Sequence, residues 1–282
     1  MTRLDPYRFA GGTAVVTGAA SGMGEQLAHG LARRGSHLVL LDRDAARLAG
    51  VVEAVRRESP HVEITSIVAD LAERAQTEAA AAQILREHPR VTLLVNNAGV
   101  ALGGRFDQVS LEDFEWVLEI NLHAPVVLTH RLLPRLTASP GSHVVNVSSL
   151  YGLVAPPGQA AYSTSKFGLR GFSEVLRGEL APRGVGVTTV HPGGIKTRVA
   201  ESARIPAGAT DEEVAAQRAR FAGLLTYPAD RAAEDILGAV EKRRGRLLIA
   251  WSARIPDVLA RLLPSSNMVV LGKLTELATR RR

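Results

Sequence analysis

The chain has 282 residues, no cysteine, and 34 basic against 28 acidic side chains for a net charge of +6. That length suits one α/β domain able to bury a sizeable core. The missing cysteine excludes a disulfide framework, a thiol nucleophile and thiolate metal sites, and suits a reducing cytoplasm. The basic excess is mostly scattered arginine, and with aromatics at only 4% of residues it reads as a solvated surface, so no nucleic-acid partner is expected.

In chain order, residues 1–12 hold no apolar leader core, so no secretory signal is expected. No apolar run further on approaches the ~18 residues of a membrane span. Strand-like runs then fall at Thr13–Val16, His37–Leu41, Val62–Ile67, Leu93–Asn96, His143–Val147, Val185–Val190 and Arg246–Ile249. Several are short and almost purely apolar, the pattern of strands buried on both faces. Helical patterns separate them at Gly22–Arg34, Ala45–Arg57, Thr77–Glu87, Leu111–Leu136 and Ala160–Leu180. Ser110 followed by Asp113 marks a start for the fourth, in which Pro125 and Pro134 predict a kink or an early end. Strand–helix alternation throughout predicts a parallel sheet covered by helices on both faces.

Thr17-Gly18-Ala19-Ala20-Ser21-Gly22-Met23-Gly24 joins the first strand to the first helix. Glycines there permit a tight turn, and the helix N-terminus offers unpaired N–H groups to a pyrophosphate. The spacing G-x-x-x-G-x-G differs from the commoner G-x-G-x-x-G, and alone such a turn also serves simple packing. Asp42 ends the second strand some twenty residues beyond Gly18, where an acid can accept from both ribose hydroxyls. It would repel a 2′-phosphate, which favours NAD over NADP. Arg43 pulls the other way, and Asp42 also suits a helix cap.

Tyr162 and Lys166 are four apart on a helical pattern and share a face. A neighbouring ammonium lowers a tyrosine pKa, making proton exchange with a carbinol or carbonyl oxygen feasible. Ser149, at the end of the fifth strand, supplies a hydroxyl for the same oxygen. Tyr-x-x-x-Lys alone is a common pattern. However, lysine occurs only at 166, 196, 242 and 273 in this arginine-rich chain, and a compact ammonium is what position 166 would need.

Taken together, Thr17–Gly24, Asn96-Asn97-Ala98-Gly99, Asn121 in Ile-Asn-Leu, Ser148-Ser149, Tyr162-Ser-Thr-Ser-Lys166 and Pro192-Gly193-Gly194-Ile195-Lys196-Thr197 resemble the short-chain dehydrogenase/reductase family over about residues 10–250. The resemblance implies a doubly wound Rossmann-type sandwich with a seven-stranded parallel sheet. It implies a catalytic set of Asn121, Ser149, Tyr162 and Lys166. In that set Tyr162 is the acid/base, Ser149 holds the substrate oxygen, Lys166 also binds the nicotinamide ribose, and Asn121 positions a water. Ser148 is the alternative hydroxyl. It further implies cofactor contacts from Gly18, Ser21, Gly22, Met23, Gly24, Asp42, Arg43, Asp70, Leu71, Asn97, Ala98, Gly99, Pro192, Gly193, Ile195 and Thr197.

The expected activity is hydride exchange between NAD and a hydrophobic secondary alcohol or ketone, with no metal. A catalytically silent nucleotide-binding regulator is the alternative. Leu150, Leu153, Val154 and Pro156 are the expected apolar cleft residues. One domain spanning residues 1–282 is expected. In it, 198–227 is a polar lid punctuated by Pro206 and Gly208, and 251–282 is an amphipathic extension carrying Val258, Leu259, Leu262, Leu263, Val269, Val270, Leu274 and Leu277. The extension suits packing in a homodimer or homotetramer ahead of peripheral membrane contact.

Overall fold

The computed structural model describes residues 4–198, 203–206, 208–210, 212, 213, 215, 223 and 225–272. Seven strands form one sheet: β1 (Thr13–Thr17), β2 (His37–Asp42), β3 (Ile64–Val68), β4 (Leu93–Asn96), β5 (His143–Val147), β6 (Gly186–Pro192) and β7 (Arg246–Ile249). Their order is β3-β2-β1-β4-β5-β6-β7, and every pairing is parallel. The order reverses between β1 and β4, the switch point at which a doubly wound sheet opens a crevice above its strand ends.

The helices are α1 (Gly22–Arg33), α2 (Ala45–Glu58), α3 (Arg74–Glu87), α4 (Leu111–Leu118), α5 (Ala124–Thr137), α6 (Ala160–Leu180), α7 (Ala229–Glu241) and α8 (Trp251–Leu262). Alternation along the strands divides the core into two layers. Val16, Leu38 and Leu40 face α1, α2 and α7 through Leu27, Leu31, Val52 and Ile236. Val15, Val39 and Leu41 face α3, α5 and α6 through Ile84, Leu128, Leu132 and Leu180.

The expected strands all form, with β3 starting at Ile64 and β6 running on to Pro192. The long pattern at 111–136 is broken, as its prolines predict, but by a π-turn over Glu119–His123. Pro125 has no N–H to return to the Asn121 carbonyl, and the wider turn absorbs that loss at the start of α5. Pro134 lies inside α5 without ending it.

Much of 198–227 lies outside the described residues. In the described part Arg204 donates to Asp113 Oδ1 at 2.8 Å and stacks 3.9 Å over the Trp116 ring. Of the extension, Lys273 to Arg282 lie outside the description, while α8 packs beside β7. Its inward face holds Ala253 and Asp257, and Asp257 binds Arg246 of β7 through both carboxylate oxygens. The apolar stripe is therefore turned outward, with Trp251, Ile255, Val258 and Leu262 exposed. Among the described residues no helix is long and apolar enough to cross a membrane.

Candidate active site

The β1–α1 turn is shaped by steric necessity. Gly18 has φ +65°, and a Cβ there would stand 2.8 Å from Ala98 Cα. A Cβ at Gly24 would reach 1.9 Å from the Gly18 carbonyl oxygen, so this glycine lets α1 close on the turn. Ser21 at the N-cap makes no side-chain capping bond, so it leaves the first N–H groups of α1 unsatisfied by protein capping. Asn97 sews the turn to β4: its amide donates to the Thr17 and Gly18 carbonyls at 3.0 and 3.2 Å. Gly24 and Asn97 thus act on the turn's shape.

Asp42 does not cap α2; Asp44 does, accepting from the Arg47 N–H. The Asp42 carboxylate instead takes the Ala20 N–H on one oxygen at 2.9 Å and the Asp44 N–H on the other at 3.0 Å. Those bonds hold it at the mouth of a cleft that Arg43, Arg47, Asp70 and Leu71 also line. Asp70 Oδ1 accepts from the Ala72 N–H at 2.9 Å. The same cleft runs past Gly18, Ser21, Gly22 and Met23 to Ala98, Gly99, Pro192, Gly193, Ile195 and Thr197.

At its far end lie Ser149, Tyr162 and Lys166. Ser149 stands beside Tyr162, where its hydroxyl acts to lower the phenol pKa, and that hydroxyl accepts the Tyr151 N–H at 3.1 Å. Ser148 also lines the cleft, but its buried hydroxyl is committed, donating to the Lys166 carbonyl at 2.9 Å. Lys166 Nζ donates to the Val147 carbonyl, and burial pulls its pKa down to about 8. The expected lowering of the Tyr162 pKa by Lys166 is not what dominates. Burial is the larger effect and raises it, the nearby Ser149 hydroxyl opposes this, and Nζ lies 5.7 Å from the ring centre.

Asn121 does not line the cleft. Its side chain pins the π-turn to the end of β4, accepting from Val100 N at 2.9 Å and donating to Val100 O at 3.0 Å. It also donates to Ser165 Oγ at 3.1 Å, and Ser165 in turn donates to the Tyr162 carbonyl. The side chain of Asn121 is thus committed to holding the chain together, and Pro125 has no N–H to donate to its main-chain carbonyl.

Of the expected apolar cleft residues only Leu150 lines the cleft; Leu153 and Val154 are buried in the core and Pro156 lies away from it. Sequence reasoning missed Tyr151, whose ring meets Tyr162 edge-on at 6.0 Å, and His191, whose imidazole contacts the Ser149 carbonyl. No periodicity marks either; both depend on chain segments brought together by the fold.

A parallel doubly wound sheet with an acid-tipped second strand and a Tyr–Lys helix at its crevice defines a nicotinamide-nucleotide oxidoreductase. The short chain dehydrogenase model matches residues 12–207, and the chain belongs to the short-chain dehydrogenase/reductase family. It is similar to SadH of Mycobacterium tuberculosis, named as an oxidoreductase, at 38% identity covering 92% of this chain and 93% of that one. Among solved structures it is similar to a family member from Burkholderia phymatum in complex with NAD (TM-score 0.82, 28% identity, covering 90% and 94% of the two chains). Another is a Sphingobium yanoikuyae short-chain dehydrogenase in complex with NADPH (TM-score 0.74, 29% identity, 95% of each chain).

The cleft fits a nicotinamide dinucleotide on its own terms: a glycine-rich turn beneath an uncapped helix end, an acid at one end and a hydroxyl–phenol–ammonium group at the other. Such a cofactor supplies the hydride chemistry; the protein supplies binding, orientation and proton handling. The silent-regulator alternative finds no support in an oxidoreductase family member that retains all four expected polar residues.

Proposed function

We propose that the chain interconverts a hydrophobic secondary alcohol and its ketone with NAD as the preferred cofactor. The observation that carries the chemistry is the convergence of Ser149, Tyr162 and Lys166 at the inner end of the cleft. In this reading Ser149 holds the substrate oxygen and Tyr162 gives or takes its proton. Lys166 binds the nicotinamide ribose and steadies negative charge arising on the phenol. The Asn121 main-chain carbonyl orients a water behind Lys166. Gly18, Ser21, Gly22 and Met23 receive the pyrophosphate, and Asp70 with Leu71 the adenine. Ile195 and Thr197 hold the carboxamide.

NAD is favoured in this reading because Asp42, held by two backbone N–H groups, keeps a carboxylate in the cleft where a 2′-phosphate would meet it. Arg43 and Arg47 flank it, but Arg47 is engaged with Asp44 at 3.2 Å. Leu150 and Tyr151 beside the reacting end support an apolar substrate. Residues 198–227 act as its lid. The cysteine-free composition supports a cytoplasmic enzyme. The outward stripe of α8 supports a homodimer or homotetramer ahead of membrane contact. Loss of the oligomeric mass when Trp251 and Leu262 are changed to serine is the expected result, and lost binding to anionic vesicles at unchanged mass reverses the order.

The deciding experiment is a panel of secondary alcohols and ketones followed by reduced-nicotinamide absorbance, with NAD and NADP run in parallel. Turnover with NAD on apolar members is expected. Turnover confined to polar sugars, or faster with NADP, overturns the substrate or the cofactor assignment respectively.

A further inference from the structure

His191 lies on β6, one residue before Pro192, and is fully buried. Its Nδ1 is 3.1 Å from the main-chain carbonyl oxygen of Ser149. A carbonyl can only accept, so Nδ1 carries the proton and the tautomer is set. Nε2 is then a bare acceptor, buried and without a hydrogen-bond partner among the described residues. Burial pulls the imidazole pKa down to about 4, so the ring is neutral at ordinary pH. A buried polar atom left unpaired costs free energy, and a leucine of similar volume would avoid that cost. The imidazole is retained for what its other nitrogen does.

The Ser149 carbonyl has one further donor, the Gly152 N–H at 3.0 Å, which belongs to the same short turn. Among the described residues His191 alone reaches that carbonyl from a different element. The other ends of this turn are fastened elsewhere: Val147 O by Lys166 Nζ, Ser148 Oγ by the Lys166 carbonyl, Ser149 Oγ by the Tyr151 N–H. The turn bearing Ser149 is thus slung between α6 on one side and β6 on the other. Without the His191 bond the turn keeps its links to α6 and the Ser148 N–H bond to the Val190 carbonyl at 2.8 Å, and loses the one side-chain bond from β6 that reaches Ser149 itself.

We infer that His191 is a positioning residue that, through its Nδ1–H bond to the Ser149 carbonyl, sets the Ser149 hydroxyl against Tyr162. This rests on the reading of Ser149 as the hydroxyl that holds the substrate oxygen. It makes a chemical distinction that mere space-filling does not. The amide nitrogen of asparagine falls where Nδ1 lies and can donate to the same carbonyl. The amide of glutamine reaches instead toward the Nε2 position, and leucine donates nothing.

The test compares His191→Asn, His191→Gln and His191→Leu with the parent, using cyclohexanol and NAD for turnover. A second readout needs no turnover: tyrosinate absorbance against pH, with Tyr162→Phe subtracted to isolate the Tyr162 phenol. The Asn variant is expected to keep kcat within about twofold. The Gln and Leu variants are expected to lose kcat on the order of tenfold or more at little-changed KM, because a small displacement of a reacting group is costly. In those two the Tyr162 titration moves to higher pH, since the Ser149 hydroxyl that opposes its upward shift is displaced. Parent-like kcat and titration in His191→Leu overturn the proposal, as does an equal loss in all three variants. Ser149→Ala is the separate arm. If it retains parent activity, the reading of Ser149 fails; if it is inactive while His191→Leu is not, only the role of His191 fails.

Discussion

Lys166 Nζ donates to the Val147 carbonyl across 3.0 Å, tying the middle of α6 to the last residue of β5. That single bond accompanies a heavily desolvated ammonium, and burial brings its pKa down to about 8. The charged form is the one that binds a ribose hydroxyl as donor and steadies a phenolate. It is full below that pKa and lost above it. The rate constant kcat/KM for the cofactor, which reports the free enzyme, is therefore expected to fall as pH rises through about 8. A profile flat through this range contradicts the assignment of Lys166 to the cofactor.

Removing the phenol isolates the proton step. Tyr162→Phe keeps the ring beside Tyr151 and Lys166 and deletes the phenol oxygen beside Ser149. Turnover is expected to drop by about a hundredfold to ten-thousandfold, the usual worth of a general acid–base group. Cofactor affinity, measured by fluorescence titration, is expected to change less than about threefold, because Asp42 and the glycine turn are untouched. A variant with near-parent turnover shows that another group moves the proton.

The features legible in the sequence are those encoded locally. Val15, Val16, Leu93, Leu94 and Val144 announce strands covered on both faces because nothing polar interrupts them. The glycine turn and Asp42 are legible because their chemistry requires those residue types at a short spacing. What stayed hidden depends on distance. Asn121 reads as a site residue, yet its side chain serves Val100 and Ser165, which are remote in sequence. His191 meets Ser149 from another strand. The apolar stripe of α8 is plain, but its outward direction follows from the Arg246–Asp257 pair, which fastens the opposite side of the helix to β7. Helix α7 carries Ala232, Ala233, Ile236, Leu237 and Val240 at regular intervals, and its place after a polar segment masks that periodicity.

Two buried histidines predict how stability responds to acid. His143 bonds Thr188 through Nε2 at 2.7 Å and takes the Arg243 guanidinium N–H on Nδ1 at 2.9 Å. Burial and that guanidinium bring its pKa to about 3, while burial brings His191 to about 4. Both stay neutral in the folded chain and take up a proton on unfolding near the ordinary value of 6.5. Their contribution is full above that value and is lost as pH falls toward the folded pKa. The slope is about 1.4 kcal/mol per pH unit for each histidine. Urea midpoints are expected to fall between about pH 7 and about pH 5. His191→Asn is expected to shed one proton's worth of that dependence, and an unchanged slope in this variant shows that His191 does not titrate this way.

The charge at position 42 sets the last expectation. Asp42 is only partly buried, so repulsion of a 2′-phosphate is screened below the about 4 kcal/mol of a pair ~4 Å apart at an effective dielectric of ~20. One to two orders of magnitude in cofactor discrimination is the expected scale, at about 1.4 kcal/mol for each factor of ten. Asp42→Asn removes the charge while retaining an oxygen for the Ala20 N–H, and gives up the bond from the Asp44 N–H, which an amide nitrogen cannot accept. The variant is expected to lose about tenfold in kcat/KM for NAD, through weaker bonds to the ribose hydroxyls, and to gain with NADP. Arg43, already at the mouth of the cleft, is then free of a competing carboxylate and can pair with the added phosphate. Asp42→Asn combined with Arg43→Ala is expected to lose that gain while still using NAD. If the single variant leaves the NAD-to-NADP ratio of kcat/KM unchanged, selectivity resides elsewhere along the cleft and the assignment of Asp42 to the ribose is wrong.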